Sequence, residues 1–297
     1  MTASYHRLYR TQPNYRWWRP LVAIVIAAAL IVSVSTGIVL AALLGQLVVG
    51  ELTSTVVNAD DLLSLDVANP ASVVIALVSV AAWIPCIFVA LWAAGLKPVG
   101  MINSVSFRLR RNRLLRFGLA GFVTVTLAQT LLVALLYISG QAPDRIFTLD
   151  PLVLLISLLA VLFLVPLQAA AEEYAFRGIL LQALGSWIKN PILPVLLPTV
   201  LFMFAHIYEV WGLVEVFLLG ITAGWLTVKT GGLEAAIVIH VLNNVSVFLL
   251  LISGVFGTTA VAADAGSPVS VVMTIILLSA YSWWVLRENK RFEKQPA

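Results

Sequence analysis

LVLLISLLAVLFLVPLQAAAEEYAFR, residues 152–177, decides how the rest of the chain is read. About 20 apolar residues in a row cross a bilayer core roughly 30 Å thick. This run then ends on two carboxylates and a guanidinium: Glu172, Glu173 and Arg177. An ionisable group in a span costs from about 3 to 10 or more kcal/mol, so it normally faces a protein interior, has a partner and marks function. Glu173 and Arg177 are one helical turn apart and can pair on one face. Glu172 points about 100° away from Glu173 at 3.6 residues per turn, and must find its partner on another helix. The competing reading is a span end whose long side chains snorkel into the headgroups. Two further polar sites downstream weigh against it.

Composition bounds the fold class. Of 297 residues, 61% are hydrophobic and 11% charged, with a mean hydropathy of +1.01. A soluble domain needs far less apolar surface. The chain is expected to be an all-α, polytopic transmembrane helix bundle of about eight spans, without room for a separate soluble domain. The single cysteine, Cys86, lies in an apolar run and reads as inert packing.

Charge asymmetry orients the spans. Residues 1–20, with Arg7, Arg10, Arg16 and Arg19 before and around Trp17 and Trp18, read as a basic cytoplasmic tail ending in an aromatic anchor. Leu21 to Val49 is too long for a signal-peptide core and should remain as a span. Glu51, Asp60, Asp61 and Asp66 mark an outer loop. A second span, Ala71 to Ala94, leads to the cluster Lys97, Arg108, Arg110, Arg111, Arg113 and Arg116. Beside a membrane, this loop 95–116 is expected to touch anionic lipid rather than nucleic acid.

Span three runs from about Phe117 to Ile138, and an outer loop with Asp144 and Asp150 precedes span four, where Pro166 is expected to bend the helix and swing the carboxylates inward. Residues 178–190, with Trp187 and Lys189, either finish that helix or lie along the interface. After Pro191 and Pro194, span five reaches about His206 or Tyr208, and span six runs from Leu213 to Val228 before Lys229 and the turn Gly231-Gly232. Span seven covers Leu233 to Ser253. A glycine-rich outer loop with Asp264, span eight from Val269 to Leu286, and a tail with Arg287, Lys290, Arg291 and Lys294 complete the chain. Both termini are then cytoplasmic. The organisation expected is a tail (1–20), a three-span region without recognised motifs (21–150), a motif-bearing core (151–253), and a last span with a basic tail (254–297). The plasma membrane of a prokaryote is the expected location.

His206 and His240 both fall in apolar runs where a titratable imidazole is unexpected. Each alone reads as a satisfied buried histidine, or as interhelical glue. With Glu172 they place polar groups on three different spans, which meet only if the fold brings them together. His240 and Asn244 share one face of span seven, with Asn243 alongside, and together could donate to a developing oxyanion. Phe202 lies one turn before His206. No serine or cysteine nucleophile stands beside a base, and no HExxH or phosphate loop occurs, so Glu172 is the leading candidate base.

Glu-Glu-x-x-x-Arg at 172–177, Phe-x-x-x-His at 202–206 and His-x-x-x-Asn at 240–244 resemble, in order and spacing, the three motifs of the CPBP intramembrane proteases. That group contains the CAAX prenyl endopeptidases and the bacteriocin-processing or immunity proteins. The resemblance covers residues of about 150 to 253, making 151–253 the expected protease core. It implies hydrolysis of a peptide bond in a membrane-associated peptide or protein substrate, of CAAX type or a leader peptide. Glu172 would activate water, His206 would position it, and His240 with Asn244 would stabilise the oxyanion, with Glu173, Arg177 and Phe202 in support.

Two arrangements stay open at this point. Glu172, His206 and His240 could form a three-ligand zinc site with an open fourth position. Alternatively the same residues act without metal, the arrangement favoured because the amide of Asn244 suits an oxyanion better than zinc. Two other functional classes compete: a transporter or ion-pathway protein, since intramembrane Glu, His and Arg also mark ion routes, and a catalytically silent partner that binds a membrane peptide.

Overall fold

The computed structural model describes residues 4–49, 65–140, 143, 148–261 and 266–294. Glu51, Asp60, Asp61, Asp144 and Asp264, which the charge reading places in outer loops, lie outside them. The described residues form a helical bundle: α1 (Arg19–Val49), α2 (Pro70–Ala81), α3 (Trp83–Ala93), α4 (Arg111–Ile138), α5 (Pro151–Glu173), α6 (Leu181–Trp187), α7 (Ile192–Phe204), α8 (Val210–Thr230), α9 (Glu234–Ile252) and α10 (Pro268–Lys294).

Among the described residues, seven stretches are long and apolar enough to cross a membrane: α1, α2 with α3, α4, α5 through α6, α8, α9 and α10. The eighth apolar segment, α7, has only 13 residues. At 1.5 Å per residue it rises about 20 Å, short of a hydrocarbon core of about 30 Å. Its fold-level consequence is large: the chain leaves the helix at Ala205 and runs through His206, Ile207 and Tyr208 without regular structure before α8 begins. Irregular backbone at membrane depth is tolerated only where it is buried in protein or lines a cavity. These residues do line one.

Local chemistry sets the helix ends. Pro151 occupies the first turn of α5, where its missing N–H costs nothing, and Asp150 accepts from the backbone N–H of Leu152 at 2.9 Å. Asn69 and Pro70 start α2 the same way. α8 stops at Gly231, whose φ of +71° is a left-handed conformation that glycine adopts without a Cβ clash. Outward faces carry exposed large apolar side chains such as Leu119, Phe122, Leu127 and Phe163. In lipid that is the favourable arrangement.

α5 passes through Pro166 and stays α-helical to Glu173. The change in winding comes later than expected from the proline: Tyr174–Leu180 is π-helical, and α6 follows directly. Residues 178–187 therefore finish the helix rather than leave it. A π-helical turn is rare and is found mostly at functional sites; here it carries Arg177.

The amino-terminal segment is more than a solvated tail. Tyr5–Thr11 forms a 3-10 helix with Tyr5, His6, Leu8 and Tyr9 buried. Tyr5 donates from its hydroxyl to the carbonyl of Ile102 at 2.5 Å, and the His6 ring lies 3.0 Å from the carbonyl of Lys189. The contact with α6 is close enough that a Cβ at Gly185 would collide with the His6 carbonyl. An Arg-rich composition hid this, because the three apolar side chains Tyr5, Leu8 and Tyr9 are too few to read as a core segment.

The arginine cluster is likewise partly absorbed by the protein. Arg111, Arg113 and Arg116 sit on α4 rather than in the preceding loop. Arg110 makes a bidentate pair with the buried carboxylate of Glu234, 2.7 and 2.6 Å, at the start of α9. Arg113 donates to Asn289 and Arg116 pairs with Glu288 at 2.9 Å, both on α10. That helix continues unbroken to Lys294, so Arg287, Lys290 and Arg291 extend the last span rather than forming a loose tail. The Arg110–Glu234 clamp sits six residues before His240 and fixes the start of its helix.

Candidate active site

Antiparallel packing of α5 on α9 builds the centre of the site. Gln168 faces Asn244, with the Asn244 amide donating to Gln168 Oε1 at 3.4 Å, and one turn along each helix Glu172 faces His240, Oε2 to Nε2 at 3.4 Å. Moving four residues forward on one helix and four back on the other is what an antiparallel pair requires.

His240 also meets Glu173. Its Nδ1 lies 2.7 Å from Glu173 Oε1. The same oxygen accepts from Arg177 Nη1 at 2.9 Å. The expected one-turn pair of Glu173 and Arg177 is thus present, but Glu173 has a second partner that spacing alone did not suggest. All three side chains are buried: Glu173 is 0%, Arg177 1% and His240 2% exposed. A carboxylate paired with a guanidinium only accepts, so His240 Nδ1 carries the hydrogen and Nε2 is the nitrogen turned to Glu172. The Arg177 guanidinium also stacks over the Phe202 ring, 4.3 Å to its centroid. Its Nη2 packs where a side chain at Gly220 would be, since a Cβ there would lie 2.8 Å away.

His206 reaches the site from the break after α7. Its Nδ1 donates to the carbonyl of Phe202 at 2.8 Å, satisfying a carbonyl at the helix end that has no α-helical partner. This fixes the tautomer and leaves Nε2 as the acceptor nitrogen of the neutral ring. Phe202 lies edge-on to both imidazoles, with centroid separations of 4.7 Å to His206 and 5.6 Å to His240. Its part is to wedge the two rings apart and support Arg177.

A cavity of about 840 Å³ opens over this cluster. Glu172, His206, His240, Asn243, Asn244, Gln168, Phe176 and Tyr208 contribute to its wall, and most of the rest is apolar. Volume and lining suit a peptide-sized ligand. The Glu172 side chain is 12% exposed, and its Oε2 has no hydrogen-bond partner of good geometry. The sequence-selected residues Glu172, Phe202, His206, His240 and Asn244 are therefore on one wall, while Glu173 and Arg177 lie behind it. Gln168 and Tyr208 were missed. Gln168 had a readable signal, a lone amide one turn before Glu172 in an apolar run; Tyr208 had none.

Zinc ligation by Glu172, His206 and His240 does not fit this arrangement. Among the described residues no group of three or more His, Cys, Asp or Glu is placed as a metal ion requires. A metalloprotease is not supported by this arrangement, and no step below is routed through a metal.

Comparison with known proteins bears on the same segment. Residues 153–246 match the family described as type II CAAX prenyl endopeptidase Rce1-like. The uncharacterized protein YyaK of Bacillus subtilis (strain 168) is 39% identical over 94 residues, which is 29% of this chain and 31% of YyaK. No solved structure matches. The family match supports a peptide-bond hydrolase in general terms, and together with the apolar helices it supports an integral membrane protein. The matched residues 153–246 hold Glu172, His206, His240 and Asn244, and the match is consistent with the CPBP family.

Proposed function

We propose that this protein is an intramembrane endopeptidase that cleaves a membrane-associated peptide, of CAAX type or a leader peptide, with water activated by Glu172 and His206. The observation that carries this reading is the Glu172 carboxylate, set in the wall of a cavity that two imidazoles from other elements, His206 and His240, also line.

The substrate carbonyl carbon lies over Glu172, with a water between carboxylate and peptide. Glu172 takes a proton as the water oxygen attacks, and His206 Nε2, its tautomer set by the Phe202 carbonyl, accepts from the same water and aims it. The carbonyl oxygen becomes an oxyanion beside His240 Nε2–H and the Asn244 amide. His240 must be an imidazolium to donate there, because Nδ1 already carries a hydrogen for Glu173. The buried Glu173 carboxylate accepts from His240 Nδ1 and so fixes the ring, and Arg177 holds Glu173 in place. Collapse of the tetrahedral adduct breaks the C–N bond, and the proton held by Glu172 passes to the amine leaving group. Glu173 is a positioning residue in this scheme.

The direct test is cleavage by the purified wild-type protein of prenylated and unprenylated carboxyl-terminal peptides and of leader peptides, with products identified by mass. Activity that survives prolonged chelation, with no stoichiometric metal by elemental analysis, is the expected result. Stoichiometric zinc whose removal abolishes cleavage and whose return restores it would replace this mechanism.

The orientation proposed has both termini and the loop 95–116 in the cytoplasm of a prokaryotic cell, with α7 and the irregular residues 205–209 together counting as an eighth crossing beside the seven long helices. Lys97, Arg108 and Arg111 are exposed, and are the groups left to meet anionic lipid. Cysteine labelling on a Cys86→Ser background checks this. Arg110 is unsuitable as the labelling position because it clamps Glu234, whereas Arg111→Cys keeps the clamp. Reaction of that cysteine only with reagent added outside the cell would reverse the map.

A further inference from the structure

One wall of the cavity carries a second carboxylate that the hydrolytic scheme leaves unused. Glu215, near the start of α8, is partly buried among Gly212, Val216 and Leu219, which also line the cavity. Its Oε1 accepts from the hydroxyl of Ser270 at the start of α10. The backbone N–H of Ser267 donates to that same hydroxyl oxygen at 2.7 Å, and the Ser267 carbonyl lies 3.0 Å from it as a second acceptor beside Glu215. The carboxylate is thus held rather than loose.

No Lys or Arg is found among the described residues that line this cavity. Its ionisable lining consists of Glu172, Glu215, His206, His240 and Tyr208. Tyr208, Glu172 and Glu215 line the same cavity. A carboxylate in a largely apolar wall, with one hydroxyl for company, is costly unless an opposite charge arrives. An endopeptidase grips its substrate mid-chain, so the positive charge available to it is a side chain. We propose that Glu215, oriented by Ser270, is a specificity subsite for a Lys or Arg side chain of the peptide substrate. The proposal rests on the endopeptidase reading for its ligand, but the site itself does not depend on turnover.

Two readouts keep site and reaction apart. In the first, full-length protein in a neutral detergent is titrated with dodecylammonium or with dodecanol, and its thermal unfolding is followed. A ligand that binds only the folded state raises the unfolding temperature. Dodecylammonium is expected to do so for wild type and Glu172→Gln but not for Glu215→Gln, with dodecanol moving all three alike. Equal shifts by the amine in wild type and Glu215→Gln overturn the subsite.

In the second, terminally blocked peptides differ only by Lys, Gln or Glu at one position beside the cleaved bond. Wild type is expected to prefer Lys over Gln by about tenfold or more in kcat/KM, as a desolvated charge pair provides. That ratio should fall to near one in Glu215→Gln and invert towards the Glu peptide in Glu215→Lys. An unchanged ratio in Glu215→Gln overturns the proposal. If wild type cleaves nothing while amine binding still follows Glu215, the endopeptidase reading falls and the cation site stands.

Discussion

Glu172→Gln is expected to cut peptide cleavage by about 10²–10⁴-fold, the usual contribution of a general base, while the protein still folds and elutes as wild type does in detergent. The amide keeps the size of the carboxylate and removes only its ability to take a proton. Stability should change little, since Glu172 faces the cavity and its Oε2 has no good partner to lose. His206→Ala should lose activity on the same scale, with a modest cost of about 1 kcal/mol from the Phe202 carbonyl it leaves without its imidazole donor. The measurement is kcat on one peptide, with thermal unfolding alongside. A Glu172→Gln protein that keeps more than about a tenth of wild-type kcat would remove Glu172 from the role of base.

Arg177→Ala should fail in the opposite way, by unfolding. Breaking a fully buried ion pair from one side costs about 3–5 kcal/mol, because the partner is left charged and unpaired. Glu173 would keep only His240, with Oε2 already lacking a partner, and the Phe202 ring would lose the guanidinium stacked upon it. Low yield and early thermal unfolding are expected for the single variant. Arg177→Met combined with Glu173→Gln removes both charges and should recover much of the stability, since a buried pair is often no better than apolar side chains of similar volume. Activity should not return, because His240 loses the carboxylate that orients its ring. Thermal stability of Arg177→Ala equal to that of Glu172→Gln would show that the buried pair contributes nothing to the fold.

These two variants differ although their side chains are five residues apart on one helix. The distinction was partly legible in the chain. Glu173 and Arg177 at one-turn spacing announced a pair, and Glu172 at about 100° from Glu173 announced a separate partner. Sequence reasoning could not show that both carboxylates converge on one imidazole. Helical geometry tells which side chains share a face; only the packing of α9 against α5 decides which face of the neighbouring helix they meet.

What the sequence determined by itself was the membrane class and a set of candidate residues, most of which line one cavity. Long apolar runs such as Pro151–Trp187 have no alternative to a spanning helix, because lipid offers no partner for free backbone groups. Rare ionisable groups in those runs had to be functional or paired, which singled out Glu172, Glu173, Arg177, His206 and His240. The tertiary structure decided everything that depends on contacts between helices distant in the chain. It shortened α7 so that His206 leaves the helix and enters the cavity, placed a π-helical turn under Arg177, folded Tyr5–Thr11 against α6, and turned Arg110 to Glu234 instead of lipid. It also set Glu215 on the cavity wall beside Ser270. None of these follows from hydropathy, which measures the cost of leaving water for lipid, whereas each is settled by which neighbour is present when the water has gone.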